Sequence, residues 1–143
     1  MRRYLLLTVL LYHLNNATAQ QVEHIAMPVK QLAAANHFYR KVLQLDTIAN
    51  PFNDGKHTWY RLTANVQLHI IALSAPFTPP VKHQHICLRI RDMNAFISKL
   101  HQQRIPFEDW AGKPQQITTR PDGVHQIYLQ DPDGYWWEIN DAP

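Results

Sequence analysis

The feature that most constrains this chain is an internal repeat. His24-Ile25-Ala26-Met27-Pro28-Val29-Lys30-Gln31-Leu32 recurs 61 residues later as His85-Ile86-Cys87-Leu88-Arg89-Ile90-Arg91-Asp92-Met93, and both copies fit H-I-x-x-x-[VI]-[KR]-x-[LM]. A repeated segment marks a repeated supersecondary unit, so whatever the first copy folds into, the second should fold into as well. In both copies the side chains alternate. Ile25, Met27 and Val29 oppose His24 and Ala26, while Ile86, Leu88 and Ile90 oppose His85, Cys87 and Arg89, the period-two pattern of a half-buried strand.

A helical pattern follows each strand. The first runs from Leu32 to about Leu45, with Ala35, Phe38, Val42 and Leu45 on one stripe. The second runs from Met93 to about Gln103, with Met93, Phe96, Ile97 and Leu100 on a stripe, Asp92 placed as N-cap and Pro106 as a stop just beyond. Strand-like runs come next, Thr58 to Leu62 and Val66 to Leu73 in the first half, then Val124 to Gln130 and Tyr135 to Asn140 in the second. A further short strand is expected near Thr47 to Ala49 and near Ile105 to Trp110. The fold class is therefore α+β, with two tandem β-α-β-β-β modules over residues 22–74 and 83–141. The linker, 75–82, carries Pro76, Pro79 and Pro80, which neither a ladder nor a helix interior accommodates. Turn signals at Pro121-Asp122-Gly123 and Asp131-Pro132-Asp133-Gly134 bracket the closing hairpin.

The first 19 residues read as a cleavable signal peptide. Arg2 and Arg3 precede the apolar run Leu5 to Leu11, which is too short to span a bilayer, and Ala17-Thr18-Ala19 places small residues at −3 and −1 of a cut before Gln20. The chain is thus expected to be exported, periplasmic or secreted, with a mature domain at 20–143. Losing the leader takes 14 Lys+Arg to 12, against 11 Asp+Glu. Nucleic acid and, after cleavage, membrane are accordingly poor partners. Cys87 is the sole cysteine, so no internal disulfide forms and the core must carry the fold.

Several of these segments carry a family resemblance. Glu23 to Val29, the helix His37-Phe38-Tyr39-Arg40-Lys41-Val42-Leu43 and the run Asp131-Pro132-Asp133-Gly134-Tyr135-Trp136-Trp137-Glu138-Ile139 resemble the vicinal-oxygen-chelate superfamily, which includes glyoxalase I, fosfomycin-modifying enzymes, extradiol dioxygenases and bleomycin-binding proteins. The resemblance covers essentially the whole mature chain. It implies a glyoxalase-like fold in which paired modules place metal ligands on the first and last strand of each. Carried over, those positions are His24, His69, His85 and Glu138. His69 departs from glyoxalase I, which has Glu there. The strand alternation is consistent with all four facing a groove.

Three His and one Glu form a mixed nitrogen and oxygen set for a divalent ion such as Zn, Ni, Fe or Mn, and His24, His85 and Glu138 alone form the two-His-one-carboxylate set of non-haem Fe(II) chemistry. The ion would be a Lewis acid gripping two adjacent oxygens of a small-molecule substrate. His69 is either a fourth ligand or a catalytic base, and Glu138 is counted with it as catalytic. Trp59 and Trp136 are candidate substrate-binding aromatics. Arg89, on the His85 face, ranks above Arg61 as a contact for an anionic group. Cys87 shares that face, where a lone strand cysteine is more often filler than nucleophile.

The resemblance leaves three functions in competition. A glyoxalase-like lyase or isomerase ranks first, an Fe(II)-dependent dioxygenase second, and a small-molecule (antibiotic) binding protein last, because bleomycin-binding relatives lack the ligands retained here. Resembling enzymes of this length commonly form two-fold dimers with shared sites, so a homodimer is expected.

Overall fold

A computed structural model of the chain describes residues 20–143; the expected signal peptide lies outside the described residues. Two four-stranded sheets form, one per module. In the first, β1 (His24–Val29), β2 (Thr47–Ile48), β3 (His57–Arg61) and β4 (Gln67–Ala72) are ordered β1-β4-β3-β2. In the second, β5 (His85–Arg89), β6 (Thr118–Thr119), β7 (His125–Gln130) and β8 (Trp136–Asn140) are ordered β5-β8-β7-β6. In each sheet the first strand lies parallel to the last and the others are antiparallel, so the repeat in sequence becomes a repeat in topology.

The alternation read from the sequence sorts the faces. Met27, Val29, Leu68, Ile70, Tyr60, Ile127, Leu129, Trp137 and Ile139 are buried in one core, together with Phe38, Tyr39 and Val42 of the first helix and Leu100 of the second. The opposite, groove face carries His24 and Ala26 of β1, Trp59 and Arg61 of β3, and Gln67 and His69 of β4 in module one. In module two it carries His85 and Cys87 of β5, Tyr128 of β7, and Trp136 and Glu138 of β8.

The first helix, α1 (Leu32–His37), runs directly into a wider turn over Phe38–Val42 in place of continuing to Leu45. Leu43 N–H donates to the Phe38 carbonyl, a five-residue step, and Leu45 N–H to that of Tyr39. Gln44, at φ 57°, then turns the chain out of the helix. Such single wide turns let bulky side chains settle without breaking the helix, and here the turn buries Phe38, Tyr39 and Val42 together. The second helix, α2 (Met93–Gln103), meets expectation: Asp92 accepts from Ala95 N–H at 2.9 Å and Arg104 closes it in the left-handed region at φ 57°. The short strand expected at Ile105 to Trp110 does not form. Glu108 makes only isolated bridges to Tyr128 and Pro114, and the sheet edge is taken by Thr118–Thr119, where β-branched residues pair with Gln126 and His125.

The modules are tied together through the core. Tyr39 packs edge-on against Trp137 with centroids 5.7 Å apart, and its hydroxyl donates to Asp131 at 2.6 Å. Asp131 also accepts from the backbone N–H of Asp133 and Tyr135, building the closing turn, and Asp133 accepts from Lys30 N–H at the end of β1. The proline linker lies on this turn: Phe77 stacks on Tyr135, and Pro79 touches Gly134. Among the described residues no helix is long and apolar enough to cross a membrane.

Candidate metal centre

The four ligand positions that the resemblance implies fall into two pairs, one on each groove face. In module two, parallel pairing of β5 and β8 sets Cys87 opposite Glu138, one step from His85, and the His85 Nε2 stands 3.1 Å from Glu138 Oε2. The other ring nitrogen is fixed by the backbone, with His85 Nδ1 at 2.7 Å from the Lys82 carbonyl. A ring held at one nitrogen presents the other in a defined direction, the usual arrangement behind a metal-bound histidine.

Glu138 is buried but not isolated. Oε2 accepts from the Tyr128 hydroxyl at 2.7 Å, and Oε1 accepts from Asn140 Nδ2 at 3.0 Å and from the Cys87 thiol at 3.4 Å. Burial raises its pKa, but those three hydrogen bonds and the nearby His85 outweigh it, and the carboxyl is held below its ordinary value. An ionised, buried carboxylate beside a directed imidazole could supply two donors to a divalent cation. The network also disposes of Cys87 as a nucleophile, since desolvation and the adjacent Glu138 push its thiol up to about 12.

In module one, Trp59, His69 and His24 form a three-ring stack across β3, β4 and β1. Trp59 and His69 lie 3.9 Å apart at 7°, and His69 and His24 lie 4.3 Å apart at 11°. The Nδ1 of His24 pairs with the Glu23 carboxylate, which leaves its Nε2 free. His69 pairs through Nε2 with Gln67 Oε1 at 2.9 Å. Burial, and then the charge of His24, lower its pKa, so this ring is neutral at neutral pH. Two parallel stacked imidazoles do not aim their in-plane lone pairs at one point, so the stack as it stands offers an ion His24 and keeps His69 beside it.

Within one chain, no three His, Cys, Asp or Glu side chains among the described residues gather closely enough to hold one ion. The structure thus assembles His85 with Glu138 and His24 with His69, and leaves the pairs apart. The donor set nevertheless fits a divalent cation: an anionic carboxylate, and imidazoles whose remote nitrogens are already engaged.

The candidate substrate contacts separate in the same way. Trp136 lies beside His85 in a cavity of about 330 Å³ that Ala26 and Met27 of β1 also line, and the Lys82 ammonium sits 4.7 Å above its ring. Arg89 is tied to the chain's own Pro143 carbonyl at 2.5 Å. Residues to which the sequence gives no role at the ion are Tyr128, Asn140 and Glu23. The period-two pattern that puts Tyr128 on the groove face was available, but its pairing opposite Glu138 depends on register.

A family model of the Glyoxalase/Bleomycin resistance protein/Dioxygenase superfamily matches residues 21–139. The Bacillus subtilis (strain 168) "Uncharacterized protein YwbC" is 28% identical over 134 residues, covering 85% of this chain and 97% of that one. Among solved structures, "Oxidase ChaP-H2" superposes with a TM-score of 0.72 at 20% identity, covering 87% of this chain and 95% of the other. Lactoylglutathione lyase from Agrobacterium tumefaciens superposes with a TM-score of 0.63 at 19% identity, covering 87% and 95%. At these identities the two structures speak for the fold alone. From a family match spanning both modules, and from the repeated β-α-β-β-β topology it matches, the chain belongs to the Glyoxalase/Bleomycin resistance protein/Dioxygenase superfamily.

Proposed function

We propose that the protein is a metal-dependent enzyme of this superfamily, a glyoxalase-like lyase or isomerase acting on a small substrate with two adjacent oxygens. The observation that carries the reading is the His85–Glu138 pair, an ionised buried carboxylate 3.1 Å from an imidazole nitrogen whose partner nitrogen is anchored on the Lys82 carbonyl. His24, His85 and Glu138 would hold the ion, with Glu23 and the Lys82 carbonyl orienting the two rings. When bound, the ion supplies Lewis acidity toward the oxygen pair of the substrate.

The remaining chemistry belongs to the chain. His69 is neutral, next to His24, and has its Nδ1 uncommitted. It accepts a proton at that atom from the carbon beside the oxygen pair and returns it to the neighbouring carbon, which completes an isomerisation. Trp59 and Gln67 fix the ring in place for that transfer. Tyr128 and Asn140 hold Glu138 in its orientation.

We further propose that the two pairs are completed across a homodimer, His24 and His69 of one copy facing His85 and Glu138 of a second. The rims of both groove faces carry exposed apolar groups suited to such a contact. Phe52, 62% exposed, leans on His57 and Trp59, and Trp110, 42% exposed, leans on His83 and Tyr128.

The stack on His69 also supports a second reading. With His69 held out, the set is two His and one carboxylate, the arrangement of Fe(II) oxygen chemistry, and one structural neighbour is named an oxidase. Metal analysis of protein expressed without residues 1–19 discriminates. Stoichiometric Zn or Ni supports the lyase, Fe(II) with oxygen uptake supports the dioxygenase, and failure to bind any divalent ion overturns both.

A further inference from the structure

One end of the module-one groove carries a cation, Arg61. Register pairs Arg61 of β3 with Gln67 of β4, and Gln67 with His24 of β1, so the three stand in one cross-strand row on the groove face. Two strand spacings separate the Arg61 and His24 backbones, roughly 10 Å. Arg61 lines a hollow of about 400 Å³ whose walls include Ile48, Ala49, Trp59 and Gln67. Apolar groups line it together with four polar residues, Arg61, Thr63, Asn65 and Gln67, in a volume that would take a small polar ligand.

The cation in this hollow is unspent. Arg61 is exposed and makes no ion pair or side-chain hydrogen bond to another described residue, whereas the other groove-face cations are committed. Lys82 is paired with Glu108 and capped by the Trp136 ring, and Arg89 holds the Pro143 carbonyl. Two carboxylates flank this end of the groove: Asp46, opposite Arg61 across β2 and β3, takes the Arg61 backbone N–H on its carbonyl but makes no ion pair with the guanidinium, and Glu23 is engaged by His24 and by Gln67 Nε2.

We infer that Arg61 is the specificity-determining contact for a carboxylate on the substrate. The inference rests on the metal-site reading above and deepens it. The substrate class is then a small organic acid carrying its two adjacent oxygens at one end and its carboxylate at the other, with a flat or short apolar middle lying against Trp59 and Ile48. A planar guanidinium binds a carboxylate through two parallel hydrogen bonds, a geometry that a lysine does not reproduce.

Benzoate and 3,4-dihydroxybenzoate are the probes, titrated against the wild-type chain, Arg61→Ala and Arg89→Ala, each metal-free and Ni(II)-loaded, with the Arg61 Nε–H and Trp59 indole N–H followed by NMR. Saturable benzoate binding to the wild type and to Arg89→Ala, weakened about ten-fold in Arg61→Ala, is the expected result. Binding that survives in Arg61→Ala, or is lost in Arg89→Ala instead, overturns the assignment. The two hydroxyls test the metal-site reading separately: on the Ni(II)-loaded wild type they should raise affinity at least ten-fold over benzoate, and no gain there sinks that reading whatever Arg61 does. Arg61 is exposed, so an unchanged melting temperature is expected for Arg61→Ala.

Discussion

His69 on β4 and Glu138 on β8 occupy the same place in the two modules. Each lies opposite the third residue of its module's first strand, Ala26 or Cys87, and each is flanked on the antiparallel side by an aromatic residue, Trp59 or Tyr128. Equivalent backbone positions have been given different chemistry. At one, an aromatic ring stacks face to face on an imidazole; at the other, a phenol donates to a carboxylate. The first expectation follows from this difference. His69→Ala should leave bound metal within about two-fold of wild type while turnover falls by a hundred-fold or more, as loss of a general base does. Metal content by mass spectrometry, set beside kcat once a substrate is in hand, checks it. Loss of the metal along with activity would make His69 a ligand instead.

Tyr128→Phe removes one hydroxyl and leaves the ring between His85 and Trp110. Glu138 then loses its 2.7 Å donor, and Gln126 Nε2 loses an acceptor. Metal affinity should drop about ten-fold to a hundred-fold, the usual cost of removing a group that orients a ligand. Competition with a chromophoric chelator measures it. An unchanged affinity would show that Asn140 and His85 suffice to hold the carboxylate.

Asp131 gives a pH dependence of folding with a definite sign. Burial raises its pKa above the ordinary 3.8, against the lowering effect of the Tyr39 hydroxyl and the two backbone donors. The folded state therefore holds the Asp131 proton more tightly than the unfolded chain does. The stability this confers is full below the unfolded pKa and is lost as pH rises through the raised folded value. Asp131→Asn keeps an oxygen for the backbone N–H groups and an amide for the Tyr39 oxygen, but no longer titrates. Across acid pH, wild-type stability relative to Asp131→Asn should fall as pH rises; urea midpoints at several pH values read this directly, and a constant difference would refute it.

Gly134 sits at φ +91°, and a Cβ there would lie 2.9 Å from Pro79 Cγ, whereas Gly123 at φ +85° has open space around it. Both alanine variants carry the backbone strain, but only Gly134→Ala must also displace the linker. We expect Gly134→Ala to cost about 1–3 kcal/mol and Gly123→Ala distinctly less. Thermal unfolding of the pair separates the steric part from the conformational one.

The fold was readable because its determinants are local and repeated. Ile25, Met27 and Val29 and their counterparts alternate without a break, and Asp92 caps its helix as Ser, Thr, Asn and Asp commonly do. What escaped depends on contacts distant in sequence. The wide turn at Phe38–Val42 is set by packing Tyr39 between Tyr60 and Trp137. The edge strand at Thr118–Thr119 is two residues long and has no periodicity to read. In the site, the repeat pointed to His24 and His85 and the resemblance to His69 and Glu138. The Trp59–His69–His24 stack, the Tyr128–Glu138 bond and the contrast between Arg61 and Arg89 needed the strand register and the position of Pro143.

Separation of the two pairs within one chain makes the shared-site proposal testable by mixing. His24→Ala damages the module-one half and leaves His85 and Glu138 intact; Glu138→Gln does the reverse. If each ion is held between module one of one copy and module two of another, homodimers of either variant have two damaged sites. A mixed dimer then has one site with both defects and one with neither. Unfolding and refolding the variants together in equal amounts should therefore restore about a quarter of the wild-type metal content, since about half of the dimers are mixed and each regains one of two sites. Refolding each variant alone restores none. If the halves instead close on each other within a single chain, every site in the mixture keeps one defect and metal content stays at the level of the separate variants. Sedimentation before and after mixing establishes that dimers are present, so that a negative result counts against shared sites and not against exchange.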